Sequence, residues 1–237
     1  MVYDSALVGR VVSFLCAILN PMNAYRDSET LFELVVRVLC DTAPKGGRAD
    51  AVYLYAQTRD DEASVLAAGE FLWRLGRVKY VVCNSRLKAG FGYPGFIRWK
   101  KKLVAAKVPE NRILPMQISA DFPPSTDAEA RGLIRFAKRN KIKTLYIAAP
   151  PLHQLRAFVS TVSALKHERA NIALYNFTGF SQRWEERIVH SQGIQRGTRS
   201  HLLHKELAKI EKYLKQGTLV SPHTILEYMN KRDRKKN

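Results

Sequence analysis

Thr144-Leu145-Tyr146-Ile147-Ala148-Ala149-Pro150-Pro151-Leu152-His153-Gln154-Leu155-Arg156-Ala157 carries the signal that sets the fold. Its first six residues are a near-continuous apolar run of strand length. Two prolines then end the run and pre-set the backbone for entry into a helix. The pattern predicts a strand over 144–149 and a helix over 153–166. A strand apolar on both faces, followed directly by a helix, is the repeating step of a parallel sheet covered on both sides.

The same alternation extends upstream and downstream. Strand-like runs occupy 51–55, 80–83, 113–116 and 172–177, and amphipathic helical patterns occupy 62–75, 96–108 and 126–140. Strands alternating with helices imply right-handed βαβ units. The expected fold is therefore α/β, a Rossmann-like three-layer sandwich with a mostly parallel sheet of about five strands. Helices flank it at both ends. Val8, Val11, Val12, Leu15 and Leu19 share a helical face, and a second helix starts near Asp27 or Ser28 with Leu31, Leu34, Val35 and Val38 on one side. After Phe177 no further strand is expected; helices are predicted over 200–216 and 222–231, the latter capped by Ser221. Pro44-Lys45-Gly46-Gly47 reads as a linker. This divides the chain into an N-terminal helical segment (1–45), an α/β core (46–180) and a C-terminal helical extension (181–237).

Length and composition suit an ordinary globular chain: 237 residues, 46% hydrophobic and 25% charged, enough to bury a core without staples. Cys16, Cys40 and Cys83 have no metal-ligand spacing and are expected as buried free thiols of a reducing compartment. The apolar run 6–19 is too short to span a bilayer and is interrupted by Arg10. With no basic leader ahead of it, the expectation is a cytoplasmic chain without a membrane span. The formal net charge of +18 attracts phosphorylated metabolites, nucleic acid and acidic surfaces alike, so it bears on partners and not on fold.

In an open parallel sheet, ligands bind beyond the carboxyl ends of the strands. After the fourth strand, His153 and Arg156 lie three apart on one face of the helix start. With the helix amides they suit a phosphate or carboxylate; alternatively His153 caps the helix and Arg156 pairs with a surface acid. After the third strand, Thr126 and Glu129 have capping-box spacing. Glu129 either serves that cap or faces His153 across the cleft as an acid–base partner. The loop 56–61 lacks the glycines of a phosphate-cradling loop, and the loop 84–95 either wraps a ligand or lies on the surface. His201 and His204, three apart with no acid to complete a site, are expected on a solvated face, so no metal site is expected and no cofactor is specified.

These residues follow a family pattern. Asp50-Ala51-Val52 at the first strand, Ser125-Thr126 and Glu129-Ala130 at a helix start, and His153-Gln154-Leu155-Arg156-Ala157 after the fourth strand occur in the order seen in the YdcF-like family of domains of unknown function, which includes SanA and ElyC. Val108-Pro109-Glu110-Asn111-Arg112-Ile113 resembles that family's turn before its third strand. The resemblance covers about 49–177 and implies a soluble member of a group linked to envelope metabolism. It implies His153 and Glu129 as catalytic groups and Arg156, Ser125, Thr126 and Asp50 as ligand contacts. The family's glycines after strands one and two are replaced here by Ala56-Gln57 and Asn84-Ser85-Arg86. Gln57, Asn84 and Ser85 thus place side chains where backbone would otherwise approach the ligand.

The expected function is binding of a small anionic ligand, nucleotide-like or a sugar phosphate, with hydrolase or transferase chemistry in view. A nucleic-acid-binding protein is the alternative, on the basic stretches 86–107, 131–143 and the tail from Lys231, with Phe96 and Trp99 interleaved among Lys100, Lys101 and Lys102. A non-catalytic scaffold is the third, with Trp184, Tyr213 and Tyr228 as contacts or as core.

Overall fold

A computed structural model describes residues 28–86, 92–118, 125–190 and 194–234. The predicted helix over 8–19 and Cys16 lie outside them. Five parallel strands form the sheet, β1 (Ala49–Leu54), β2 (Val78–Asn84), β3 (Ile113–Met116), β4 (Thr144–Ala148) and β5 (Ala173–Asn176), in the order β3-β2-β1-β4-β5. Among the described residues, seven α-helices surround it: α1 (28–39), α2 (Glu62–Arg74), α3 (Phe96–Ala105), α4 (Thr126–Arg139), α5 (Pro151–His167), α6 (Arg199–Lys215) and α7 (Pro222–Arg234). The α/β three-layer expectation is met, and the predicted strands and helices of the core fall within a few residues of their places. No helix among the described residues is long and apolar enough to cross a membrane.

The strand order reverses between β1 and β4, which pair through Tyr53↔Ile147 and Leu54↔Ala148. Crevices for ligands open at such a reversal. Alternate residues along each strand serve opposite layers. Val52, Leu54, Val81 and Cys83 pack with α2 and α3, around Trp99. Ala51, Tyr53, Tyr55, Val82, Leu145 and Ile147 pack with α4 and α5. Leu34 and Val38 of α1 and Ile225, Leu226 and Met229 of α7 join that second cluster, so segments from both ends of the chain share the core. A buried ion pair, Arg232 Nη2 to Asp41 Oδ1 at 2.6 Å, ties α7 to the segment leaving α1.

Three expectations are corrected. The strands do not stop at Phe177: an antiparallel hairpin, β6 (Arg187–His190) and β7 (Gln195–Thr198), precedes α6. Its strands are only four residues each, β7 is polar and holds Gly197, and both are held from outside. Thr58 Oγ1 donates to Val189 O at 2.6 Å, Val189 N donates to Asp60 Oδ2 at 2.6 Å, and Arg199 Nε donates to Asp61 Oδ1 at 2.9 Å. Cys83 is buried, but Cys40 is exposed, because it follows α1 past its last core-facing residue, Val38. Phe96 and Trp99, interleaved with the lysines in sequence, are core residues and do not share the lysines' surface: Trp99 is fully buried and its Nε1 donates to Glu62 Oε2 at 3.0 Å.

Candidate functional site

The loops at the carboxyl edge of the sheet, the hairpin and α6 enclose a cleft of about 370 Å³. Gln57, Asn84, Ser125, Thr126, Glu129, His153 and Arg156 all line it. Two expected residues do not. Asp50 begins β1, at the opposite edge, where its Oδ2 accepts from Lys143 N at 2.9 Å and Thr144 N at 3.1 Å and its Oδ1 from Lys79 Nζ at 3.0 Å. It stitches the starts of three strands, which is a structural task. Ser85 is half-buried beside the cleft and its amide donates to Met116 O at 2.8 Å, extending the β2–β3 ladder.

Glu129 is delivered by α4, and its capping role is corrected. Ser125 caps α4, its Oγ accepting from Ala128 N at 3.1 Å. Thr126 is then free to accept from Arg156 Nη1 across the cleft. Glu129 Oε1 accepts from Tyr53 OH at 2.6 Å and Ala56 N at 2.8 Å. Strand alternation aims Tyr53 at this layer. Burial pushes the Glu129 carboxyl up to about 7, against the two hydrogen bonds and the Arg156 charge that favour its ionised form.

His153 and Arg156 are presented by the first turns of α5. Pro150 is the N-cap and Pro151 the first residue of the helix, so neither His153 nor Arg156 caps it. The carboxylate that faces the imidazole is Glu206 of α6, in place of the expected Glu129. His153 Nδ1 lies 2.8 Å from Glu206 Oε2, and Arg156 donates to the same carboxylate from Nε at 2.6 Å and Nη2 at 3.2 Å. Lys209 Nζ reaches Glu206 Oε1 at 2.7 Å. A carboxylate only accepts, so Nδ1 carries the His153 proton and Nε2 keeps its lone pair. Burial lowers the His153 pKa to about 4, helped by Arg156 and opposed by Glu206, so the ring is neutral at physiological pH. Burial alone would raise Glu206, but Arg156 and the two histidines outweigh it and hold the carboxyl well below its ordinary range.

His190 of β6 completes the group. Its Nδ1 is 3.6 Å from Asp61 Oδ2 and its Nε2 is 3.3 Å from Glu206 Oε1. Burial disfavours its charge, yet these two carboxylates prevail and raise its pKa. His153, His190 and Glu206 bring potential metal-ligand atoms within 4.8 Å of one another. The charges of Arg156 and Lys209 on Glu206 oppose a dication there. His201 and His204 are exposed.

Glu206, His190 and Lys209 were not expected from sequence. Glu206 did leave a signal: Leu202, Glu206 and Ile210 fall on one stripe of α6, and all three are buried. An acid inside an apolar stripe needs a buried partner. Leu202 packs with Leu152 of α5 and Ile188 of β6, which sets the height of Glu206 against His153. One further group faces the cleft. Gln57 is 4% exposed, and its Nε2 has no hydrogen-bond partner. A buried donor without an acceptor is costly and rare in a finished structure.

Comparison with models of known families, with curated proteins and with solved structures finds no match.

Proposed function

We propose that the cleft binds a small anionic ligand, nucleotide-like or a sugar phosphate, and carries out hydrolase or transferase chemistry on it by general acid–base catalysis. The observation that supports this reading is the charge of the wall. Among the described residues, Arg86, Arg156 and Lys209 line it against one acid, Glu129, whose carboxyl is half-protonated near neutrality. Arg156 commits three of its five N–H groups to Glu206 and Thr126 and keeps two for a ligand. His153, oriented by Glu206, offers Nε2 as a base, and Glu129 offers a proton or orients the ligand. The volume of about 370 Å³ suits a nucleotide-sized molecule. The YdcF-like order of motifs supports the same edge of the sheet and a role in envelope-related metabolism.

Thermal-shift titration with inorganic phosphate, AMP and glucose 6-phosphate tests the reading. At least one probe is expected to raise the melting temperature. Gln57→Leu is expected to cut affinity for that probe about tenfold, the worth of one hydrogen bond to a charged group, while leaving the unliganded melting temperature within ~2 °C. No shift with any probe, or one that Gln57→Leu leaves intact, contradicts the assignment.

A further inference from the structure

A recess of about 770 Å³ lies at the other edge of the sheet, beside the starts of β4 and β5. Six exposed cations surround it: Lys45 and Arg48 ahead of β1, Lys166 and Arg169 at the end of α5, and Lys231 and Arg234 of α7. The recess has one exposed acid, Glu227, which faces His223 at 3.3 Å. None of the six side chains has an ion-pair or hydrogen-bond partner among the described residues. Arg232, deeper in the wall, is already neutralised by Asp41.

Helix ends explain part of this charge, since cations at a helix C-terminus are favoured by its dipole. Lys45 lies in a single 3₁₀ turn, Lys45–Gly47, and Arg48 is its C-cap, so neither sits at the end of an α-helix with a dipole of any length. Arg169 follows the C-cap of α5, so the helix end accounts for its charge but not for its backbone. Its φ of 47° is the left-handed conformation in which glycine is the favoured residue, yet an arginine stands there. Lys141, with φ of 56°, occupies the equivalent place after α4, two residues before Lys143, whose carbonyl accepts from Ala173 N in the recess wall. Lys107, with φ of 70°, holds the same place after α3, so a left-handed cation follows three of the helices and only Arg169 of the three lines the recess.

We infer that this recess binds the phosphodiester backbone of a nucleic-acid strand, separately from the cleft. Small phosphates are held by convergent buried donors, and none of the orphaned buried polar atoms among the described residues lines this recess. An anionic membrane surface is favoured where large apolar side chains stand ready to insert beside the cations. None of the exposed large hydrophobic side chains among the described residues lines it. A concave array of exposed cations from several elements, with Asn171 and Asn230 beside them, fits a repeating polyanion bound chiefly through its charge.

Fluorescence anisotropy of a labelled 20-nucleotide single strand, titrated between about 50 and 300 mM NaCl, tests the inference on the whole chain. Contact with about five phosphates gives a log–log salt slope near −3.5. Arg48→Glu/Arg169→Glu/Lys231→Glu is expected to weaken binding more than about 100-fold at the lowest salt and to flatten the slope by about two. Arg59→Glu/Lys101→Glu/Lys212→Glu, an equal change of net charge at exposed or half-exposed sites off the recess, is expected to weaken it only a few-fold. Melting curves confirm that both variants fold. The inference is overturned by no binding at low salt, by equal losses in the two variants, or by capture of phosphatidylglycerol vesicles without the oligonucleotide. Phosphate-probe binding in the cleft is expected to be unchanged in the recess variant, which separates the two sites.

Discussion

Glu206→Gln is expected to destabilise the fold by about 3–5 kcal/mol, a fall in melting temperature of roughly 10 °C. The size follows from what the carboxylate holds. Arg156 is 7% exposed and bonds Glu206 through Nε at 2.6 Å and Nη2 at 3.2 Å. Lys209 adds a third cationic contact at 2.7 Å. A neutral amide keeps the shape but strands two cations, and removing one partner of a buried pair costs far more than the pair itself contributes. Replacing both sides is the control. Arg156→Met/Glu206→Met is expected to be less destabilising than Glu206→Gln, and coupling this strong departs from additivity. Chemical denaturation of the single and double variants measures both effects, and a loss below about 1 kcal/mol for Glu206→Gln contradicts the network.

Glu129→Gln and His153→Gln are expected to change the pH dependence of stability in opposite directions. Glu129 has its pKa raised from 4.5 to about 7 in the fold. The folded state therefore holds the proton more tightly than the unfolded chain. The stability this gives is complete below pH 4.5 and is lost as pH rises to about 7. His153 has its pKa lowered from 6.5 to about 4. Its contribution is complete above pH 6.5 and is lost as pH falls to about 4. At about 1.4 kcal/mol per pH unit, each amounts to about 3 kcal/mol, and in the wild type the two nearly cancel over their shared window. Measured against wild type, Glu129→Gln should gain about 3 kcal/mol between pH 4.5 and 7.5, and His153→Gln should lose about the same. Differences from wild type remove the other titrating groups, including His190. Parallel curves for wild type and both variants contradict the assigned environments.

The parallel sheet was legible because its signals are local. The run Leu145-Tyr146-Ile147-Ala148-Ala149 can only be a covered strand, and Pro150-Pro151 can only end it ahead of a helix. Half the site was legible for the same reason: residues just past strand ends meet at the crossover between β1 and β4. The other half arrives from α6 and the hairpin. Arg187-Ile188-Val189-His190 and Gln195-Arg196-Gly197-Thr198 alternate weakly, and their pairing is stabilised by Thr58, Asp60 and Asp61, distant in sequence. No local pattern encodes that. The resemblance misplaced Asp50 for a related reason, since a residue that opens a strand cannot reach the edge where the strand closes. Glu129 shows how one spacing serves two ends: the capping-box interval is present, but a tyrosine from β1 competes for the carboxylate and wins it.

A crystal structure of the protein soaked in millimolar AMP tests the cleft most directly. The phosphoryl group is expected between Arg156 and Lys209, with Gln57 Nε2 in hydrogen-bond contact with the ligand. Clear density in the recess formed by Lys45, Arg48 and Arg169, with the cleft holding only solvent, would contradict it.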